Sequence, residues 1–316
     1  MNPLKFDVIK REKINSLLRE LMSPSDFSRF SNYIEEYQKD RPDSLKNIDI
    51  FCEGERSSSQ TYKRFELFKR DDKSPAVLVS PLYLELFEFS GCGNYIVSYV
   101  EALSHLYPAQ TVVFQWNHDN DFYPYSIAIK PLDNVKIINF GNNTYQSPRD
   151  IIVPFWNVST LPRQEKKSQF SSFIGSINNR NRHALASSII GFNNTNLVYI
   201  EKLPEDEYLS FLSSCHFSLC PLGGPGGSGF SYRFFECLHL NTIPVLMVNK
   251  LVFPYKDIDW NNICIRLPED YYEPAGIVNI LKSLQFRESS MLEYIKSHRL
   301  RFTLGGVQEE VYNSLK

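Results

Sequence analysis

The stretch from Phe217 to Trp260 constrains this chain most. Phe217 to Cys220 is a short apolar run that stops at Pro221. Gly223, Gly224, Pro225, Gly226, Gly227, Ser228 and Gly229 follow, a composition that no helix or strand interior tolerates. From Ser231 the spacing turns helical. Phe234, Phe235, Leu238 and Leu240 supply the apolar positions, and Arg233 and Glu236 stand three apart on a neighbouring face. Ile243 to Val248, with Pro244 near its start, reads as a buried strand. A glycine-rich loop feeding a helix N-terminus is a place to hold an anion, because its N–H groups are free and the helix dipole favours negative charge. Arg233 and Glu236, one turn into the helix, can reach the same ligand.

The same alternation recurs on both sides of this stretch. Upstream, Ala76–Ser80, Thr111–Trp116, Val135–Phe140 and Ile151–Val153 read as strands. A loop with Gly91 and Gly93, then a helix from about Asn94 to Leu106, follows the first of them. The Thr111–Trp116 strand runs into the polar cluster Asn117-His118-Asp119-Asn120-Asp121. Trp156 to Lys167 has little apolar content and reads as a linker. Beyond it, Phe170–Gly175, Leu197–Ile200, Phe217–Cys220, Ile243–Val248 and Ile263–Leu267 read as strands, with helices between them and two more at the end, near Ala275–Leu284 and Ser289–Leu300. Strands alternating with helices, and polar loops at strand C-termini, indicate α/β domains with mainly parallel sheets. Ligands of such sheets gather at those C-terminal ends.

Residues 1–70 read as a helical extension packed on the first domain. Ile14, Leu17, Leu18 and Leu21 recur at helical spacing, and Ser23-Pro24-Ser25-Asp26 is a break and N-cap before a second helix, about Phe27 to Tyr37. Residues 71–156 are then a first Rossmann-like domain on the acceptor side. Residues 168–296 are a second one that binds the donor, and 297–316 form a C-terminal helix expected to cross back to the first. Two such domains facing across a cleft are the expected architecture.

Composition narrows the partners. The 316 residues hold 34 basic and 36 acidic side chains, so nothing calls for bulk nucleic-acid binding. No stretch approaches a membrane span, and the N-terminus lacks the apolar core of a signal peptide. The six cysteines (Cys52, Cys92, Cys215, Cys220, Cys237 and Cys264) lack zinc-finger or CxxC spacing and read as buried thiols of a reducing compartment. The expectation is a cytoplasmic protein, or one on the cytosolic face of a membrane. The oligomeric state is not legible.

The run SYRFFECLHLNTIPVLMVNKLVFPYKDIDW resembles the donor-site signature of exostosin-like glycosyltransferases. The shared elements are an S-x-R-x-x-E helix start, an I-P-V strand, then P-[FY]-x-[DE] and a D-W pair. Upstream, Phe173-Ile174-Gly175 with its basic loop, Tyr208-x-x-x-Leu212 and HFSLCPLGG are similar to further family elements. The match runs over about residues 170 to 270 and is loose over 75–160. It departs from the family at Pro221-Leu222-Gly223, where many members carry a polar residue, and in its longer, more glycine-rich loop. The resemblance implies a GT-B fold. It also implies an inverting, metal-independent transfer from a UDP- or GDP-sugar to a glycan, glycolipid or glycoprotein acceptor, with no bound cofactor. It implies that Arg233 neutralises the donor diphosphate and that Glu236 accepts from the ribose. Ser231 and the loop N–H groups, Gly223 among them, would cap phosphate oxygens, with Arg180 and Arg182 adding charge.

Inversion needs a base for the acceptor proton. Asp119 and Asp121, with His118 beside them, stand at the end of a strand and are the first choice. Glu85 and Glu88, after the Ala76–Ser80 strand, are the second. Asp119-Asn120-Asp121 also spells DxD, so a metal-dependent GT-A-like transferase is one alternative, and a non-catalytic nucleotide-sugar or glycan binding protein is another. A dehydrogenase is disfavoured, because no G-x-G-x-x-G follows a first strand. A bacterial or viral surface-glycan pathway is the expected setting.

Overall fold

The computed structural model describes residues 4–40, 68–70, 76–116, 122–140, 146–154, 165–192, 194–223 and 229–316. The chain divides into two compact units, one gathering residues 1–118, 122–153 and 307–316 and the other built mainly from Pro154–Gly306. Each is a parallel sheet dressed with helices.

In the first unit the strands are β1 (Leu4–Val8), β2 (Phe68–Arg70), β3 (Val77–Val79), β4 (Thr111–Trp116), β5 (Val135–Asn139) and β6 (Asp150–Ile152). They lie in the order β2-β1-β3-β4-β5-β6, every neighbouring pair parallel. The helices are α1 (Arg11–Leu21), α2 (Pro24–Asp40), α3 (Glu85–Phe89), α4 (Ile96–Leu106) and α5 (Tyr123–Ala128). Residues 1–70 therefore do not form a helical extension, since they supply two strands, with β1 inside the sheet between β2 and β3. Leu4, Phe6 and Val8 alternate with Lys5 and Asp7, a strand period too short to stand out beside the long helical pattern that follows. Pairing on both edges stabilises so short a strand. Helix α5 was also not expected; Pro124 in its first turn is the local signal for it.

Helix α2 starts as its sequence dictates. The Ser23 hydroxyl accepts from the Asp26 N–H at 3.2 Å and donates to the Asp26 carboxylate at 2.9 Å. This cap satisfies one of the helix's open N–H groups. Asp26 also accepts from the Tyr95 hydroxyl at 2.7 Å, which ties α2 to the start of α4.

In the second unit the strands are β7 (Gln169–Ile174), β8 (Leu197–Ile200), β9 (Cys215–Pro221), β10 (Ile243–Met247) and β11 (Ile265–Leu267). Their order is β11-β10-β9-β7-β8, again all parallel. Between and after them come α6 (Arg180–Phe192), α7 (Glu205–Ser214), α8 (Tyr232–His239), α9 (Pro274–Leu284) and α10 (Glu288–His298). A last helix, α11 (Leu304–Ser314), lies within the 297–316 segment read as a C-terminal helix, and most of it belongs to the first unit; the turn Arg299–Phe302 separates it from α10.

The buried positions explain the sheet. Phe217, Leu219 and Cys220 on β9 and every residue of β10 are buried, as expected for strands covered on both faces. Lys167, just before β7, fastens this core from the side. Its ammonium donates to the carbonyls of Ser213, Cys215 and Asn241, at 2.9, 2.6 and 2.6 Å.

Numbered within its own unit, the second sheet has the order 2-1-3-4-5, so chain order reverses between β7 and β9. Ligands of doubly wound sheets bind outside the carboxyl ends of the strands at such a switch point. Here β7 ends at Gly175 and β9 at the glycine-rich loop.

Candidate active site

At the end of β7 the chain turns through Gly175, whose φ of +145° lies in the region that favours glycine. The absence of a side chain there has a second use. A Cβ on Gly175 would stand 2.2 Å from Nη2 of Arg233, which arrives from α8. The Arg233 guanidinium therefore lies against the end of β7, 5.4 Å from the centre of the Phe173 ring. Only 7% of Arg233 is exposed, yet Nε and Nη1 have no hydrogen-bond partner among the described residues. A buried cation without partners is costly, and these two donors are open to an anion.

Ser231 repeats the observation. It is the N-cap of α8, but its hydroxyl makes no capping bond and is buried without a partner among the described residues. Its carbonyl accepts instead from the Phe234 N–H at 3.0 Å. Two neighbouring residues at one helix start thus carry buried, unpaired polar groups, where the helix itself leaves N–H groups open.

Glu236 sits one turn further on, half-buried, and takes a hydrogen bond from the Tyr208 hydroxyl. Burial raises the Tyr208 hydroxyl well above its ordinary value, so it remains a donor to the carboxylate. Tyr199 on β8 donates to the Gly175 carbonyl at 3.3 Å and holds the turn. Burial raises its hydroxyl too, and the Arg233 charge opposes that shift.

The other expected donor residues separate into different jobs. Arg182 is buried and its donors are used: Nε to the Leu222 carbonyl at 3.0 Å and Nη1 to Ser176 and Asn178, at 3.5 and 3.4 Å. It fastens the loop after β7 to the start of the glycine-rich loop. Asn179 helps by accepting from the Arg182 N–H at 2.9 Å. The N–H of Gly223 is also spent, on the Gly229 carbonyl at 3.0 Å, and a Cβ there would meet the Phe230 carbonyl at 2.9 Å. Gly223 closes the base of the loop. Arg180, the first residue of α6, is exposed. Residues 224–228 lie outside the described residues, as do Asp119 and Asp121.

Of the second-choice bases, Glu85 is buried, at 3% exposure, and engaged in interactions. Glu88 is half-buried, and its carboxylate has no hydrogen-bond or ion-pair partner among the described residues. It leans over bare Gly93 opposite a hydroxyl: a Cβ on Gly93 would lie 3.1 Å from Glu88 Oε1 and 2.9 Å from the Tyr125 hydroxyl.

Sequence reasoning missed Tyr199 and the contact of Gly175 with Arg233. The F-x-G and Y-x-x-x-L elements contain Phe173, Gly175 and Tyr208 but say nothing of what they touch. Among the described residues no three His, Cys, Asp or Glu side chains are grouped to hold a metal, and no helix is long and apolar enough to cross a membrane.

Two Rossmann-like units in one chain, with a loop and helix start that carry buried, unspent donors at the switch point of the second, are the layout of a GT-B glycosyltransferase. The sequence matches the Exostosin GT47 domain over residues 97–284, more than half of the chain, and the protein belongs to that family. Solved structures with a related fold include an α1,3-fucosyltransferase with GDP (12% identity, 99% of this chain and 90% of that chain, TM-score 0.41). Others are a GtfA/B complex (11%, 76% and 56%, 0.43) and the Acinetobacter baumannii MurG (11%, 76% and 73%, 0.40). The chain covers 56% of the matched GtfA/B chain. A search of proteins with curated functions finds no match.

Proposed function

We propose that this chain transfers a sugar from a UDP- or GDP-sugar to a hydroxyl of a glycan acceptor by direct displacement, with inversion and without a metal. The observation behind it is the buried Arg233 with Nε and Nη1 unpaired, beside the unpaired Ser231 hydroxyl at the start of α8. Fixed donors of this kind match a diphosphate and cost no reorganisation as charge develops on it. In the reaction the acceptor oxygen attacks the anomeric carbon. The bond from that carbon to the terminal phosphate oxygen breaks, and its electron pair leaves with the diphosphate, where Arg233 meets it. Glu236, held by Tyr208, accepts from the ribose hydroxyls. The acceptor proton goes to a carboxylate, and Glu88 has the unpaired carboxylate this needs. Asp119 and Asp121 are the competing assignment. We place the reaction in the cytoplasm or at the cytosolic face of a membrane.

The test starts with calorimetry against UDP and GDP, then turnover with the sugar nucleotide that binds, in buffer with and without chelator. The reading expects turnover in chelator and a product of inverted anomeric configuration by NMR. A retained configuration refutes displacement in one step, and loss of turnover on chelation restores the metal-dependent alternative through Asp119 and Asp121. Glu88→Gln, Asp119→Asn and Asp121→Asn then identify the base, whose loss should lower kcat by about 10²–10⁴ with nucleotide affinity intact.

A further inference from the structure

The first unit carries a surface pocket of about 610 Å³ between α2 and α3, separate from the residues discussed above. Its wall on α2 includes Ser28, Arg29, Asn32 and Glu36, and its other side is Phe89 and Ser90 at the end of α3. Phe89 is 49% exposed, an unusual position for a phenyl ring on a five-residue helix whose Leu86 and Phe87 are buried. The wall is braced. Arg29 Nη2 donates to the Asp26 carboxylate at 2.7 Å and to the Gly91 carbonyl at 3.2 Å, and Tyr95 holds Asp26 from the other side at 2.7 Å. These bonds tie α2 to the α3–α4 connection, so the pocket is formed before anything binds.

An exposed aromatic face bordered by a guanidinium, an amide, a carboxylate and a hydroxyl suits a neutral saccharide. The apolar C–H face of a pyranose packs on the ring, and its hydroxyls pair with both donors and acceptors. The opposite charges of Arg29 and Glu36 disfavour a polyanion, and Tyr33 on the α2 wall adds a second ring beside Phe89. The pocket also adjoins Glu88 in sequence, so α3 carries both the ring and the carboxylate assigned to proton removal. We infer that this pocket is a subsite for a sugar unit of the acceptor glycan, with Phe89 as its platform. Calling the saccharide an acceptor rests on the transferase reading; the binding itself does not.

The experiment is saturation-transfer NMR and titration of the whole chain with methyl glycosides of glucose, galactose, mannose, xylose and N-acetylglucosamine and with their disaccharides. At least one should bind, and Phe89→Ala and Asn32→Ala should each weaken it about tenfold, with UDP or GDP binding unchanged. Both side chains are at the surface, so the variants should fold as the parent does. The inference is overturned if no saccharide of the panel binds at millimolar concentration, or if both variants bind as the parent does. It is equally overturned if Phe89→Ala turns a dimer into a monomer while saccharide binding stays the same, since the ring then serves contact between copies. Saccharide binding without any nucleotide binding would keep the subsite and refute the transferase.

Discussion

Replacing Arg233 with alanine separates a ligand-binding arginine from a structural one. A guanidinium in a buried ion pair contributes to the fold, and breaking such a pair costs about 3–5 kcal/mol. Among the described residues Arg233 has no such pair: Nε and Nη1 are buried and unpartnered, and its evident contact is the Phe173 ring at 5.4 Å. Its removal from the empty protein should therefore cost no more than a cation–π contact, about 1 kcal/mol. In a chain of this size that lowers Tm by about 2–4 °C. With nucleotide present the balance reverses. Charge-assisted hydrogen bonds contribute about 1.5–3 kcal/mol each, so losing one or two of them should raise the Kd for UDP or GDP about 10–10⁴-fold. Arg233→Lys should recover only part of this, because an ammonium keeps the charge but lacks the planar fork. Thermal unfolding with and without nucleotide, together with titration calorimetry, reads both quantities. A Tm drop of about 10 °C or more in the empty protein with unchanged nucleotide affinity would refute the argument, and Arg233 would then be an element of the fold.

Three further outcomes test other parts of the reasoning. Gly175→Ala should mimic the loss of Arg233, because the new Cβ lies 2.2 Å from Nη2 and the φ of +145° is strained for alanine. Nucleotide affinity should fall with a stability loss of about 1–3 kcal/mol, measured by calorimetry and urea unfolding, and unchanged affinity would separate Gly175 from the site. Ser23→Ala should lower stability by about 1 kcal/mol through the lost α2 cap and leave nucleotide binding untouched, as equilibrium unfolding and calorimetry would show. His239 is buried, which holds its imidazole below the ordinary 6.5, while Nε2 donates to the Phe302 carbonyl at 3.3 Å. As pH falls below 6.5 the unfolded chain takes up the proton first, so stability should drop from that pH downward and be full above it. His239→Gln should flatten that part of a stability–pH profile; an unchanged slope would assign it to other groups.

Much of this protein was legible in local pattern. The strands Thr111–Trp116, Leu197–Ile200 and Ile243–Met247 were readable because apolar runs bounded by turn residues have few other uses. The S-x-R-x-x-E helix start was readable because caps and glycine loops act within a few residues of themselves. What failed locally did so for a physical reason. The strand Leu4–Val8 is only five residues long and is stabilised by β2 and β3, whose segments lie far along the chain. The roles of the expected donor-site residues also depend on contacts across strands. Arg180, Arg182 and Arg233 look alike in sequence, but only folding brings Arg182 onto the Leu222 carbonyl and leaves Arg180 at the surface. Folding likewise sets Arg233 over Gly175 with two donors unspent. By itself the sequence determined that a glycine-rich loop feeds a helix start between Phe217 and Trp260, since glycine and helix start are properties of consecutive residues. Which arginine keeps unspent donors there was decided by the parallel order that puts β7 beside β9, because hydrogen-bond satisfaction is settled only when distant segments meet.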